Sequence, residues 1–519
     1  MVVRTNTGAV SGIGAVMVTV EVSITGGGLG LFLVGLPDNA VKESEQRIRS
    51  AFENSGYRMT VRKCVVNLAP ADLRKEGSGF DLPIAVAILA ATEQLPAEVL
   101  EESVFVGELS LDGSLQPIRG ALPIALCARE AGFKGLILPA ANAAEAAVTE
   151  GLEVYGANTL LDVVRFLNEE CAMEPTRVDT QALFDQLAFT SDADFSDVRG
   201  QYKVRRAIEV AAAGGHNMLM VGVPGAGKSM IAKRLPSILP PLTLEEALET
   251  TKIHSVAGLM NKRNAENASL IVQRPFRSPH HTITDVALVG GGTNPHPGEI
   301  SLAHNGVLFL DELPEYKRST LEVMRQPLED RHITVARTKT TVDYPASFML
   351  VAAMNPCPCG HYGENNPARP CTCTPAQIHR YLGKISGPLL DRIDIQCEIE
   401  AVPYDQLRDT TPGESSAVMR ERVLKARAIQ SQRFADSKLV HCNAMMSSKM
   451  VRQYCALDAA CDQLLELTMT KLGLSARAYD RILKVSRTIA DLEGSEQIQK
   501  QHLLEAISYR SLDRNTWAL

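Results

Sequence analysis

Residues 222 to 229 read GVPGAGKS, a full G-x-x-x-x-G-K-[ST] match. In this pattern Gly222, Val223, Pro224, Gly225, Ala226 and Gly227 form a turn that aims successive backbone N–H groups at phosphate oxygens. Lys228 then reaches the β and γ phosphates, and Ser229 places a hydroxyl on Mg²⁺. The apolar LMV before the loop and the helical MIAKRL after it supply the strand-turn-helix context that the pattern requires. Further on, VLFLDE ends an apolar strand on Asp311 and Glu312. There one acid can hold the Mg²⁺ shell and its neighbour can orient a water. Asn355 closes the next apolar strand in VAAMNP, a position from which an amide can place that water beside the γ phosphate. The chemistry these residues point to is hydrolysis of ATP with Mg²⁺.

A second constellation lies immediately downstream. CPCGHYGENNPARPCTC, residues 357 to 373, holds Cys357, Cys359, Cys371 and Cys373 of the chain's 11 cysteines. Four soft ligands in a short Gly/Pro-rich loop suit tetrahedral Zn²⁺, which staples a segment with little core of its own. The C-x-C spacing departs from the commoner C-x₂-C, and His361 could replace one thiolate. Free thiols are the alternative to a metal. Nothing nearby suggests a disulfide exchange partner, so the expected service is positional, a rigid knuckle between the Asn355 strand and the segment SGPLLDRIDI.

The elements that must position these groups can be read from pattern. With 519 residues the chain exceeds one hydrophobic core, so several domains are expected. Residues 1–168 alternate strands and helices: VMVTVEVSI and KCVVNLAP read as strands, and NAVKESEQRIRSAFENSG as a helix ended by Gly56. Residues 169–193 lack a sustained pattern and read as a linker. From 194 to 403, the runs NMLMVGV, GVLFLDE and SFMLVAAMNP alternate with helical stretches, the pattern of a parallel sheet flanked by helices. Residues 404–519 read as a helical domain. The fold class expected is α/β.

The net charge of -7 argues against an electropositive coat, and residues 1–170 carry the imbalance, with 13 Lys+Arg against 21 Asp+Glu. Any nucleic-acid contact must therefore use a local cluster. No apolar run reaches the roughly 18 residues that span a bilayer, and the N-terminus lacks a signal-peptide h-region, so a cytoplasmic protein without membrane contact is expected. In that compartment cysteines serve as free thiols or metal ligands.

GVPGAGKS, FLDE, the strand-end Asn355 and SGPLLDRIDI together resemble the AAA+ ATPases, in their magnesium-chelatase-like branch. The likeness covers residues 194 to 519. Within that branch PFRSPHHT, GGGTNPHPGEISLAHNGVLFLDELPE, the cysteine quartet and VRGQYKVRRAIEVAAAGGHN resemble the ComM/YifB family. The resemblance implies a ring, usually a hexamer, with nucleotide at subunit boundaries. It gives Arg392 in LLDRID as the arginine finger a neighbour receives, the alternative being an intrachain pair with Asp391 or Asp394. It gives Arg477 in LSARAYDRILKVSR as the lid arginine called sensor 2, with Arg481 one turn on competing for the role. LEDRHITVARTKTTVDYP reads as a hairpin with RTKT at its tip. In this branch such a hairpin points into the ring's pore, so Arg337 and Lys339 are the expected DNA contacts. Arg274, Arg277, His280 and His281 form a second candidate contact, with the histidines open to core or metal roles.

The resemblance implies a DNA translocase or helicase that promotes branch migration during natural transformation, acting on single-stranded and branched DNA alongside recombination proteins. The alternative is a chelatase-type or protein-remodelling ATPase acting on a partner protein. The front domain resembles the proteolytic domain of Lon, an S5-like α/β fold. Ungapped placement of KEGSGFD and PIRGALP puts the family's nucleophilic serine at Gly79 and its lysine at Leu122. Neither can do that chemistry, and Ser78 without a lysine base is not activated, so a non-proteolytic domain is expected.

Overall fold

Alternating β-branched residues in VMVTVEVSI bury Val18, Val20 and Val22 on one face of a long strand, as a half-buried sheet demands. It belongs to a computed structural model that describes every residue except 1, 27, 29, 61, 188–192, 261–268, 293–294, 337–340, 364–368, 402–412, 438 and 511–519. Contacts divide the chain into two units: Met1–Gln186 with Thr243–Val272, and Leu187–Leu242 with Gln273–Leu519.

The first unit is built on β1 (Val2–Ser11), β2 (Gly14–Thr25), β3 (Leu31–Val34), β4 (Lys63–Ala69), β5 (Ser103–Phe105), β6 (Gly135–Pro139) and β7 (Glu153–Ala157), hydrogen-bonded in the order β3-β4-β2-β1-β5-β6-β7. β2 runs antiparallel to β1 and β4, while β5, β6 and β7 continue from β1 in parallel. After its first residue, Asp81, the helix Asp81–Ala91 is apolar all round, and it is buried over almost its whole length.

Positions corresponding to the Lon dyad lie in this unit. Gly79 packs against Val106 and Ile118, and Leu122 is fully buried in the helix Ala121–Glu130. Ser78 Oγ donates to Glu108, and Lys75 Nζ donates to the Pro70 carbonyl, so neither side chain activates the other.

Residues 243–272, which the sequence places within the ATPase core, have their contacts in the first unit. Thr243 and Glu246 form a capping box that starts the helix Leu244–Val256. Near its end, Ser255 Oγ donates to Glu145, a buried carboxyl that also accepts the Leu122 N–H at 3.0 Å. Burial pushes the Glu145 carboxyl up, opposed by these hydrogen bonds.

The second unit carries β8 (Met218–Gly222), β9 (Phe276–Arg277), β10 (Val307–Leu310), β11 (Met349–Met354) and β12 (Ile395–Ile399), all parallel, in the order β9-β10-β11-β8-β12. Every residue of β8, β10 and β11 is buried, as befits a parallel sheet covered on both faces. Helices Ser416–Arg433, Ser448–Tyr454, Ala459–Leu472, Ala476–Leu492 and Lys500–Ser508 make the helical C-terminal part. They share one apolar core with the sheet, in which Ile482 and Ile489 join Val307, Phe309 and Val351. The expected linker contains an eight-residue helix, Thr180–Leu187. His332–Ala336 and Thr341–Pro345 pair antiparallel with Ala336 opposite Thr341, so the hairpin forms as read; its tip, with Arg337 and Lys339, lies outside the described residues. Among the described residues no helix is long and apolar enough to cross a membrane.

Candidate active site

The carboxyl ends of β8, β10 and β11 are adjacent, the edge where open parallel sheets bind ligands. β8 runs out at Gly222 and the helix Lys228–Arg234 starts at Lys228, leaving a five-residue loop between them. Gly225 (φ 82°) and Gly227 (φ 88°) turn it through left-handed conformations that only glycine adopts freely. Lys228 Nζ donates to the Gly222 carbonyl at 2.5 Å, the Val223 carbonyl at 3.0 Å and Asn355 Oδ1 at 3.0 Å. Burial holds the Lys228 ammonium below its ordinary range, with Asp311 and Glu312 pulling the other way.

Ser229 Oγ donates to Asp311 Oδ2 at 2.5 Å, so the two protein oxygens that Mg²⁺ would take are already side by side. Asp311 also accepts the Glu312 N–H at 2.9 Å. Glu312 adopts φ 51°, an uncommon backbone for a residue with a side chain, and its carboxylate is 55% exposed. Of the paired histidines His280 and His281, His281 Nδ1 lies 3.3 Å from Glu312 Oε2, and the two imidazoles are tilted against each other at 34° with centroids 4.1 Å apart. Tyr316, whose hydroxyl donates to the Pro279 carbonyl at 2.6 Å, packs edge-on to His281. Burial raises its phenol, helped by the charges of Asp311 and Glu312.

The remaining arginines are placed less simply. Arg392 is buried and pairs with Glu329 at 2.6 Å rather than with Asp391 or Asp394, while its other nitrogen donates to the Pro388 carbonyl. Asp394 is instead held between His216 Nδ1 at 3.1 Å and Arg481. Burial raises its carboxyl, but Arg481 and His216 outweigh that and hold it far below the usual range. His216 Nε2 continues the chain to Thr488 Oγ1 at 2.8 Å. Arg481 is thus committed to a buried acid, whereas Arg477, in the first turn of Ala476–Leu492, is exposed. Arg274 donates to the carbonyls of Pro240 and Asn305, and Arg277 pairs with Glu299 at 2.6 Å, so both are engaged within the unit.

The four cysteine sulfurs all lie within 4.8 Å of one another, and His361 is not among them. Four thiolates at about 2.3 Å from one tetrahedral Zn²⁺ would be about 3.8 Å apart. Cys357 and Cys371 are 3.8 Å apart, Cys359 and Cys371 3.6 Å, and Cys357 and Cys359 3.3 Å. The Tyr362 N–H donates to Cys357 Sγ and the Cys359 N–H to Cys373 Sγ, each at 3.4 Å, the outer-shell support a thiolate site needs. Burial raises the Cys359 thiol, but the N–H groups of His361 and Thr372 and the thiols of Cys357 and Cys373 bring it down, while burial and the thiols of Cys359 and Cys357 push Cys371 and Cys373 up. This donor set fits a structural soft metal.

A phosphate loop and acid pair at one edge of a parallel sheet, with a helical part built onto the same core, define the AAA+ class in its magnesium-chelatase-like form. Family profiles agree: residues 194–407 match magnesium chelatase subunit ChlI, residues 20–142 match subunit ChlI of Mg-chelatase, and residues 413–510 match the ChlI C-terminal region. YifB of Escherichia coli is 48% identical over 98% of this chain and 97% of its own length. The competence protein ComM of Haemophilus influenzae is 47% identical over 97% of this chain and 96% of its own. A stretch of 93 residues is 32% identical to an archaeal Lon protease of Thermococcus kodakarensis. The chain belongs to the ComM/YifB family of magnesium-chelatase-like AAA+ proteins.

Proposed function

We propose that this protein is an ATP-driven, ring-forming DNA translocase or helicase that promotes branch migration during natural transformation, in the recombination of incoming DNA. The observation that carries this reading is an assembled phosphate site, Lys228 on Asn355 and Ser229 on Asp311, in a chain 47% identical along its length to a competence protein. The family implies ATP as substrate and Mg²⁺ as its companion. Ser229 and Asp311 would hold the ion, which supplies charge neutralisation at the phosphates.

In this reading the N–H groups of residues 222–227 and Lys228 bind the phosphates. Glu312 orients the attacking water and takes its proton, and Asn355 places that water against the γ phosphate. Arg392 reaches a neighbour's nucleotide once its pair with Glu329 opens, and Arg477 reaches it from the lid. A hexameric ring supplies that neighbour. Cys357, Cys359, Cys371 and Cys373 hold one Zn²⁺ as a structural brace. The protein works in the cytoplasm on single-stranded and branched DNA, with recombination proteins as partners.

The tip residues Arg337 and Lys339 carry the DNA contact. Arg337→Ala combined with Lys339→Ala is expected to weaken binding to single-stranded DNA and to flatten its salt dependence by about 0.7 in log-log slope for each cation removed from a phosphate. Basal ATPase stays close to wild type. Fluorescence anisotropy across a salt series checks this, and unchanged affinity contradicts it. The match to a chelatase subunit favours a second reading, a chelatase-type or remodelling ATPase acting on a partner protein. That reading requires no response to DNA.

A further inference from the structure

The segment that carries the thiol cluster meets the phosphate loop at two points. Cys357 follows Asn355 by two residues, and Asn355 Oδ1 accepts from Lys228 at 3.0 Å. Gly360, adjacent to Cys359, turns through φ 88°, and a Cβ built on it would lie 2.6 Å from both Cδ and Cγ of Pro224, in the middle of GVPGAGKS. No real side chain tolerates that approach, so the knuckle backbone lies directly on the proline ring. The turn is closed by the Gly360 N–H on the Cys357 carbonyl at 3.0 Å. Behind it, Tyr381 of the helix Pro375–Leu382, which starts just after Cys373, hydrogen-bonds the backbone of Asn355.

Of the cluster's four cysteines only Cys357 is fully buried, so apolar packing contributes little to holding this loop in shape. Thiolate-metal bonds would fix it instead, as structural zinc sites fix segments that have no core. The phosphate loop also depends on a neighbour, because its two left-handed glycines leave it free to adopt other turns.

We infer that the cysteine knuckle is a metal-dependent control site for nucleotide binding: with the metal in place it clamps Pro224 and Asn355, and without it the phosphate loop loses its nucleotide-binding shape. The inference rests on the proposed nucleotide site and on a metal at the four thiols. It makes the metal state of the cell a regulator of the motor, acting on nucleotide binding through Pro224 and on the placement of the attacking water through Asn355.

The test measures affinity for a fluorescent ADP analogue on the full-length chain, with zinc content determined on the same samples. Stripping zinc with a chelator is expected to lower affinity at least tenfold, and re-adding Zn²⁺ to restore it. Gly360→Ala leaves every thiol in place: it is expected to keep one zinc per chain and still lose affinity about tenfold, because the added methyl pushes on Pro224. Adding Pro224→Ala to that variant removes the ring it strikes and is expected to recover part of the loss. A folded, zinc-free chain that binds nucleotide within twofold of the loaded one overturns the inference. So does a chain that takes up no zinc, or a zinc-loaded Gly360→Ala chain of wild-type affinity. If circular dichroism finds the stripped chain unfolded, the Gly360 variants decide alone. Equal binding by wild type and Lys228→Ala would instead strike the nucleotide site itself, a separate failure.

Discussion

Lys228→Ala is expected to lose nucleotide binding by two orders of magnitude or more. Its ammonium lies on the loop, where its acceptors are the carbonyls of Gly222 and Val223 and the amide of Asn355. Phosphate oxygens replace these with charge-assisted hydrogen bonds worth about 1.5–3 kcal/mol each. Two such bonds amount to about 3–6 kcal/mol, or roughly a hundredfold to ten-thousandfold in affinity. The fold survives the change, because burial already disfavours the charged form of Lys228 and removing it leaves no buried charge behind. Calorimetric titration with an ATP analogue checks this, and near-wild-type affinity contradicts the site assignment.

Glu312→Gln is expected to act on the other half of the cycle. The amide keeps the shape of the side chain, and in the proposed site the phosphate contacts belong to other residues, so ATP is expected to bind as before. The variant lacks the proton acceptor for the attacking water, a role worth about 10²–10⁴-fold in rate. Glu312 is suited to it: its carboxylate is exposed and lies 3.3 Å from His281, while Asp311 is occupied with Ser229. Turnover of pre-bound ATP should therefore fall at least a hundredfold with nucleotide affinity unchanged. Normal turnover would show that another group activates the water. The two variants separate binding from chemistry, which no single loss of activity could do.

The groups that the sequence made legible are those whose meaning lies in short spacing. GVPGAGKS, the strand-end Asp311 and Glu312, and Asn355 sit on or beside strands whose apolar runs announce themselves, and the C-x-C pairs are legible from their spacing alone. The structure brings Lys228 to Asn355 and Ser229 to Asp311 because parallel strands place those ends together. Partner choice across long separations escaped such reading. Arg392 had two aspartates within its own motif, yet it pairs with Glu329, while Asp394 is taken by His216 and Arg481. No periodicity encodes that competition; it is settled by which groups the packing desolvates together. The placement of residues 243–272 was hidden for a similar reason, since the helix Leu244–Val256 has ordinary caps and its distinguishing feature is Ser255 on Glu145. His281 beside Glu312 carried one faint signal, the paired histidines of PFRSPHHT, without a way to name their partner.

The central claim, a motor that spends ATP on DNA, is tested most directly by steady-state ATPase with and without single-stranded and forked DNA, with strand displacement read from the same reactions and Lys228→Ala run alongside. DNA-stimulated hydrolysis and displacement are expected in the wild type, and neither in the Lys228 variant. Robust hydrolysis indifferent to every DNA, with no strand displaced, would contradict it and point to a protein as the object the ring moves.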